Sequence, residues 1–269
     1  MNNMDLEITQ KKAIQLIKDT GAFIQEERKK ITTASIEYKG HNDLVSYVDK
    51  ESEKKLVAGL HNILPEAGFI TEEETTEIGR KEQYNWVIDP VDGTTNFLHG
   101  LPIYCISVAL MEYDQVILGV VYDPNRDECF HAIKDGKDYL NEEEIQVSTV
   151  NALSESLLAT GFPHRSMDRI GDYLKILGVL MKETHGLRRM GSAAIDLAYV
   201  ACGRFEGFFE FSLKPWDVAA GAFIIEQAGG KVSTFAGSSN YIFGGQIVAA
   251  GHVHQEMKDT INQFWHERA

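Results

Sequence analysis

Apolar residues near the start of the chain recur at the spacing of amphipathic helices. The pattern predicts a long helix over residues 6–30, with four apolar positions on one face: Ala13, Leu16, Ile17 and Ile24. A second helix is predicted over residues 49–64, and it ends before Pro65 because proline cannot continue a helix. A polar loop, residues 39–43, lies between the two helices.

The middle of the chain changes to short apolar runs separated by turn residues, which predicts β-strands. The runs cover residues 86–88, 103–111, 116–122 and 129–133. The polar connections over residues 112–115 and 123–127 have the length of hairpin loops, so we expect neighbouring antiparallel strands of one sheet.

Beyond residue 150 the predicted strands and helices alternate. The strands cover residues 157–160, 187–190, 205–211, 231–235 and 246–250, and the helices cover residues 167–182, 192–201, 217–228 and a segment from residue 254. Alternation of this kind is typical of a sheet covered by helices on its faces. We therefore expect a mixed α/β protein in two closely packed halves, an α+β half over residues 1–147 and an α/β half over residues 148–269.

Charge and cysteine content narrow the class of protein. The 269 residues include 26 Lys and Arg against 40 Asp and Glu, and this net charge of −14 argues against binding to nucleic acid or to an anionic membrane. The cysteines Cys105, Cys129 and Cys202 are isolated in apolar surroundings and are expected to be buried thiols. With no secretory leader pattern and no apolar run of about 20 residues, the sequence predicts a cytoplasmic protein.

The candidate chemistry centres on residues 86–97, where an apolar strand runs into a turn. Asp89 and Asp92 are three residues apart, and Gly93 permits a tight or left-handed backbone directly after them. Thr94 adds a hydroxyl and a backbone N–H group that can bind an anion. Such a turn can direct both carboxylates at one cation beside a phosphate.

Two further acidic segments offer oxygen ligands for the same cation. Glu72 lies in an acidic run after an apolar pair, and Asp217 opens an apolar helix. Carboxylates without His or Cys are the ligands that Mg²⁺ prefers. Each residue also has a simpler interpretation: Asp49 and Asp217 as N-caps of helices, residues 72–74 as a solvated acidic loop, and Asp92-Gly93 as an ordinary turn.

Taken together, these motifs resemble the inositol monophosphatase family of Mg²⁺-dependent, lithium-sensitive phosphatases. The resemblance rests on residues 89–97, on Glu72-Glu73 and on residues 216–221, and it extends from residue 43 to residue 230 in the family's order and spacing. It implies a layered αβαβα sandwich, with helices between and outside two sheets, and a homodimer. It further implies hydrolysis of inositol monophosphate or a similar small sugar phosphate.

The resemblance also implies a set of metal ligands. One Mg²⁺ would be held by Glu72, Asp89 and the backbone carbonyl of Val91, a second by Asp89, Asp92 and Asp217, and a third, weaker ion would lie near Glu72. Two metals about 3.5 to 4 Å apart activate the attacking water and neutralise the leaving oxygen together.

Catalytic and substrate-binding residues follow from the same resemblance. Thr94 and Asp49 would orient the water that is activated on the Glu72 side of the site. The implied substrate contacts are Asp92, Gly93, Thr94, Gly191, Ser192, Ala193, Glu210 and Asp217. Within that set, the backbone amides of Gly93 and Thr94 would hold the phosphate group. Glu210 and residues 191–194 would hold the hydroxyl-bearing part of the substrate. Glu73, Lys39 and Asp43 match positions in the surrounding segments.

Other substrates and another class of function remain alternatives. A shared metal core would serve equally for fructose 1,6-bisphosphate, adenosine 3′,5′-bisphosphate or the 2′-phosphate of NADP. Residues 162–168, which include His164 and Arg165, and the pair Arg188-Arg189 are expected to distinguish these substrates at the rim of the site. The second class is a regulatory protein that keeps the fold without turnover.

Overall fold

The computed structural model of the chain describes residues 5–31, 37–40, 43–163 and 167–265, and over residues 37–45 it describes backbone alone. The side chains of Lys39 and Asp43 and the residues His164 and Arg165 therefore lie outside the described part. The helices are α1 Leu6–Arg28, α2 Tyr47–Ile63, α3 Thr94–His99, α4 Ile170–Glu183, α5 Ala193–Ala201, α6 Pro215–Gln227 and α7 His254–Asn262. A short 3₁₀ helix, Leu153–Glu155, lies between the strands of the two large sheets.

The strands form two large sheets and a small hairpin. They are β1 Glu37–Gly40, β2 Asp43–Val45, β3 Gly68–Thr71, β4 Tyr84–Asp92, β5 Cys105–Glu112, β6 Gln115–Asp123, β7 Glu128–Ile133, β8 Asp138–Leu140, β9 Glu143–Glu144, β10 Leu157–Thr160, β11 Gly186–Arg188, β12 Gly207–Phe211, β13 Lys231–Ser233 and β14 Gln246–Ala250. The first two pair with each other.

The seven-stranded sheet runs β3-β4-β5-β6-β7-β8-β9, and every neighbouring pair except β3–β4 is antiparallel. Its hairpins confirm the antiparallel arrangement that the short polar connections predict. The five-stranded sheet runs β11-β10-β12-β14-β13, with β10 parallel to both of its neighbours. Parallel neighbours require helical crossovers, which explains the alternation of strands and helices in this half.

Alternation along the strands builds the layers, because successive side chains point to opposite faces of a sheet. Trp86 of β4 packs in the core shared with α1 and α2, whereas the next residue, Val87, packs in the core shared with α5 and α6. In β12, Phe208 faces α5 and α6 while Phe209 faces α4 and α7. The layers therefore follow the order αβαβα, which confirms the predicted fold.

Helix α6 lies very close to the seven-stranded sheet. A Cβ atom at Gly119 of β6 would come within 2.9 Å of the carbonyl oxygen of Ala220. A glycine at this point lets the middle helical layer approach the strand backbone. The close approach brings the first turn of α6 to the end of β4, where the acidic residues lie.

Several predicted boundaries need correction. Helix α2 begins at Tyr47 after the N-cap Ser46, and α6 begins at Pro215, so Asp49 and Asp217 are the third residues of their helices and not the N-caps. The sequence pattern missed α3, because six residues between Gly93 and Gly100 are too few to display helical periodicity. Cys105 and Cys129 are buried as expected, but Cys202 is only half-buried.

Among the described residues, no helix combines the length and apolar character needed to cross a membrane. The division of the chain at residue 147 stays a prediction.

Candidate metal and active site

The carboxyl end of β4 carries two aspartates that a regular strand would separate. Residues three apart in a regular strand face opposite sides of the sheet. The pairing of β4 with β5 shifts register between Asp89 and Asp92, and such an irregularity redirects side chains. Both carboxylates consequently face the same cavity.

Asp217 reaches this cavity from α6 in the middle helical layer. One of its carboxylate oxygens accepts a hydrogen bond of 2.6 Å from the backbone N–H of Lys214, which fixes the side chain at the start of the helix. Oxygen atoms of Asp89, Asp92 and Asp217 all lie within 4.8 Å of one another. A capping role and a place in the acidic cluster therefore coexist in this one residue.

The cluster concentrates negative charge away from water. Burial raises the pKa of Asp89 well above its usual range, and the nearby carboxylates of Glu72, Asp92 and Asp217 raise it further. Burial likewise raises the pKa of Asp92. Buried like charges are unfavourable unless a cation or protons compensate them. Oxygen donors at this spacing fit a hard divalent cation such as Mg²⁺.

Asp92 is oriented by the start of α5. Its Oδ2 atom accepts hydrogen bonds from the Ser192 hydroxyl at 2.7 Å and from the Ala194 amide at 2.6 Å. These donors oppose the rise in the pKa of Asp92 that burial causes. The start of α5 therefore fixes the direction of the Asp92 carboxylate.

A threonine and an aspartate meet near the cluster, beside the carbonyl of Val91. The Thr94 hydroxyl lies 2.9 Å from Oδ1 of Asp49 and 3.0 Å from the carbonyl oxygen of Val91. The Asp49 Oδ2 atom accepts hydrogen bonds from the amide and hydroxyl of Ser46, completing a capping box at the start of α2. Burial raises the pKa of Asp49, and the donors from Ser46 and Thr94 oppose the rise.

The cavity has a volume of about 670 Å³ and is lined by most of the predicted site residues. The predicted residues that line it are Glu72, Asp89, Val91, Asp92, Gly93, Thr94, Gly191, Ser192, Ala193, Glu210 and Asp217. Asp49 is buried behind Thr94, and its carboxylate accepts a hydrogen bond from the Thr94 hydroxyl. The arrangement brings residues from both halves of the chain to one place.

Two turns shape the floor of the cavity. Gly93 has φ of +99° and Gly191 has φ of +96°, backbone conformations that favour glycine. The side-chain amide of Asn96 donates to the carbonyl oxygens of Ile103 and Met190, at 2.8 and 2.9 Å, and so ties the two turns together. The sequence pattern does not indicate this role of Asn96, because Met190 is distant in the chain.

Glu210 occupies a site that depends on a neighbouring glycine. It lies in β12, and a Cβ atom at Gly161 would overlap its carboxylate. Gly161 follows β10, the strand paired with β12. The absence of a side chain at residue 161 therefore makes room for the Glu210 carboxylate at the cavity wall.

The rim of the cavity includes one arginine of the predicted pair Arg188-Arg189. Arg189 lines the cavity with its guanidinium 5.4 Å from the ring centre of Phe162. Arg188 instead is exposed at the end of strand β11, where its guanidinium donates to the carbonyl of Leu187. His99 and Met190 complete this part of the rim, and neither carried a signal in the sequence.

Chemically, the site combines a cluster of buried carboxylates, a hydroxyl held by a carboxylate and a cavity large enough for a small molecule. Oxygen ligands and a hydroxyl beside them suit the hydrolysis of a phosphate ester with a divalent cation. A cation–anion site of this kind needs no nucleophilic cysteine or histidine.

Comparison with known proteins agrees with this geometry. The model of the inositol monophosphatase family matches residues 5–268. An inositol-1-monophosphatase of Mesorhizobium japonicum is 37% identical over 242 residues, covering 90% of this chain and 91% of the relative. The Nus factor SuhB of Escherichia coli K12 is 40% identical over 237 residues, covering 88% of this chain and 89% of the relative.

Solved structures share the fold. The extragenic suppressor protein suhB of Bartonella henselae matches with a TM-score of 0.88 and 35% identity, covering 93% of this chain and 96% of that one. The inositol monophosphatase of Anabaena matches with a TM-score of 0.85 and 33% identity, covering 97% and 98%. The chain belongs to the inositol monophosphatase family, a phosphatase family whose members are generally metal-dependent.

Proposed function

We propose that this protein is a Mg²⁺-dependent phosphomonoester hydrolase acting on inositol monophosphate or a similar small sugar phosphate. The observation that carries the proposal is the cluster of Asp89, Asp92 and Asp217 at a cavity that also contains Thr94. Membership in the family supports the reaction class, and the choice of ion and substrate is the part proposed here.

The metal ligands are proposed from the cavity lining. Glu72, Asp89 and the Val91 carbonyl would hold one Mg²⁺, and Asp89, Asp92 and Asp217 a second. When bound, Mg²⁺ supplies positive charge that activates water and stabilises the leaving oxygen. A third ion near Glu72 stays a prediction from the family.

Thr94 and Asp49 prepare the position of the attacking water. The threonine hydroxyl has one proton, and donating it to the Asp49 carboxylate leaves its oxygen lone pairs to accept a hydrogen bond from water. Because Asp49 is also held by Ser46, the pair has a fixed direction before substrate arrives. The amides of Gly93 and Thr94 are proposed to hold a phosphate oxygen.

The substrate's hydroxyl groups are proposed to meet Glu210 and residues 191–193. These residues line the cavity and belong to the second half of the chain. A carboxylate accepts hydrogen bonds from hydroxyl groups, which suits a polyol better than an apolar ester. Arg189 at the rim offers a charge for a larger anionic substrate.

We also propose a cytoplasmic homodimer. Leu174 and Met181 are seven residues apart on α4, and they are 58% and 66% exposed. Residues seven apart lie on one helix face, and an exposed apolar face is typical of an interface. Replacing both by lysine should convert the dimer to a monomer in sedimentation equilibrium, and an unchanged mass would remove this support.

Phosphate release tests the catalytic proposal directly. Purified protein would be assayed with and without Mg²⁺ on inositol 1-phosphate, fructose 1,6-bisphosphate, adenosine 3′,5′-bisphosphate and NADP. We expect Mg²⁺-dependent release, with the highest kcat/KM for inositol 1-phosphate, inhibition by millimolar lithium, and loss of release in Asp92→Asn. Asp114→Asn is the matched control, because that carboxylate is 87% exposed on a hairpin turn. A folded Asp92→Asn protein with normal activity would refute the site assignment.

A regulatory role is the second candidate function. The relatives that support it are named Nus factor SuhB, and that of Escherichia coli K12 is 40% identical to this chain. Release of phosphate from none of the four substrates, in a protein that still binds Mg²⁺, would favour this candidate over hydrolysis.

A further inference from the structure

Glu53 of α2 is an acidic residue whose side chain lies wholly inside the protein. It is 0% exposed and contacts the loop that follows β3. Its Oε2 atom accepts a hydrogen bond of 2.7 Å from the Glu73 amide, and its Oε1 atom accepts bonds of 2.8 Å from both the amide and the hydroxyl of Thr75. Three donors from one loop thus converge on a single buried carboxylate.

The loop that Glu53 holds contains an unfavourable backbone conformation. Glu74 has φ of +52°, in the left-handed region where a side chain crowds the backbone. The two amides bound by Glu53 belong to the residues immediately before and after Glu74. Strained residues persist where their surroundings fix them. Glu53 therefore binds the backbone on both sides of Glu74, in the segment directly after Glu72.

The same helix face also reaches the other side of the site. Asp49 and Glu53 are four residues apart in α2, so their side chains lie on one face. Asp49 contacts the Thr94 hydroxyl, whereas Glu53 contacts the loop after Glu72. One turn of α2 thus connects the segments that carry the proposed water-orienting hydroxyl and a proposed metal ligand.

We propose that Glu53 is a positioning residue that holds residues 72–75 so that Glu72 stays in place at the cavity that Asp89 also lines. The inference rests on the proposed use of this cavity by a divalent cation. Hydrogen bonds to a charged acceptor are stronger than neutral ones, so a carboxylate holds the loop more firmly than an amide side chain would. Loss of this charge loosens the loop, and weaker cation binding on the Glu72 side follows.

Glu53→Gln tests the inference, with Glu51→Gln as the matched control. Glu51 lies on the same helix, but its side chain is 49% exposed and pairs with Lys54. Hydrogen exchange of the amides over residues 72–78 should accelerate by about tenfold or more in Glu53→Gln and stay unchanged in the control. Mn²⁺ alone, followed by electron paramagnetic resonance, should bind about tenfold more weakly to Glu53→Gln.

Activity supplies a separate readout of positioning. In Glu53→Gln the Mg²⁺ concentration for half-maximal phosphate release should rise about tenfold, while kcat at saturating Mg²⁺ stays within about threefold of wild type. A saturating cation concentration compensates for weaker cation binding, but it does not compensate for the loss of a catalytic group. Thr75→Val removes the hydroxyl donor and keeps both hydrogen bonds from backbone amides to Glu53. Its effects on hydrogen exchange, Mn²⁺ affinity and the Mg²⁺ requirement should therefore have the same direction and be smaller.

The results separate this inference from the proposed function. Unchanged exchange over residues 72–78 and unchanged Mn²⁺ affinity in Glu53→Gln would overturn it. It would also be overturned if exchange rose uniformly along the chain in that variant and Thr75→Val bound Mn²⁺ like wild type. If wild type released no phosphate but Glu53→Gln still weakened Mn²⁺ binding, the proposed function would fail and the inference would stand.

Discussion

Replacing Asp89 with asparagine should make the metal-free protein more stable and remove its response to Mg²⁺. Asp89 is 1% exposed and lies at the centre of the acidic cluster, where its carboxylate faces those of Asp92 and Asp217. The asparagine oxygen can still accept the 3.0 Å hydrogen bond from the Val91 amide, and its NH₂ group can donate to the neighbouring carboxylates. The substitution thus removes charge while preserving shape.

The magnitude follows from the spacing of the carboxylates. Two unit charges 4.8 Å apart repel by about 3 kcal/mol at the effective dielectric constant of about 20 that suits protein sites. Burial and the neighbouring carboxylates raise the pKa of Asp89, so proton uptake by the cluster relieves part of this repulsion. We expect a net gain of about 1–3 kcal/mol in the free energy of unfolding, or roughly 3–8 °C in Tm.

Mg²⁺ should stabilise wild type much more than Asp89→Asn. At one hundred times its Kd, a ligand that binds only the folded state stabilises it by about 2.7 kcal/mol, so wild type should gain roughly 5–10 °C. Asp89→Asn should gain under about 2 °C, because it lacks the carboxylate shared by both proposed ions. The advantage in Tm of Asp89→Asn over wild type should therefore shrink by at least about 3 °C, or reverse, when Mg²⁺ is added.

Thermal unfolding followed by circular dichroism, with EDTA and then with Mg²⁺, measures all four Tm values. Asp114→Asn controls for loss of one negative charge, and its Tm should stay within about 1 °C of wild type because the carboxylate is exposed. The reasoning is refuted if Asp89→Asn lowers the metal-free Tm, or if it retains the full Mg²⁺ response.

Three further substitutions test separate parts of the structure. Gly161→Ala places a Cβ against the Glu210 carboxylate, so KM for inositol 1-phosphate should rise about tenfold while KM for phenyl phosphate, which lacks ring hydroxyls, stays constant. Equal changes in KM for both substrates would contradict the proposed role of Glu210. Burial raises the pKa of Asp138 from 3.8 to about 6, so its ionisation destabilises the fold as pH rises between these values. Asp138→Asn should therefore raise the free energy of unfolding, measured in urea, by about 1–2 kcal/mol at pH 8 after allowance for solvent screening, and leave it unchanged at pH 3.5. Ser192→Ala removes both the N-cap of α5 and a donor to Asp92, and a loss of about 1–2 kcal/mol in urea unfolding is expected, against which an unchanged midpoint would count.

The local pattern of apolar and polar residues was sufficient to predict much of the fold. Alternation at Trp86, Val87 and Ile88 reflects a strand with a core on each side, and the structure places these residues in the two cores as that period requires. Residues 112–115 and 123–127 identified hairpins because turn length restricts how strands pair. The short helix α3 and the hairpin β1–β2 carried too few residues for a periodic signal.

The chemical character of the site can be predicted from local sequence, because Asp89, Asp92 and Thr94 supply oxygen ligands and a hydroxyl through their residue types. Tertiary structure decided which distant groups meet them. Asp217 arrives through the close packing of α6, and Glu53 reaches its loop through the fold of α2. Side-chain identity is a local property of the chain, whereas proximity between distant residues depends on how the layers pack.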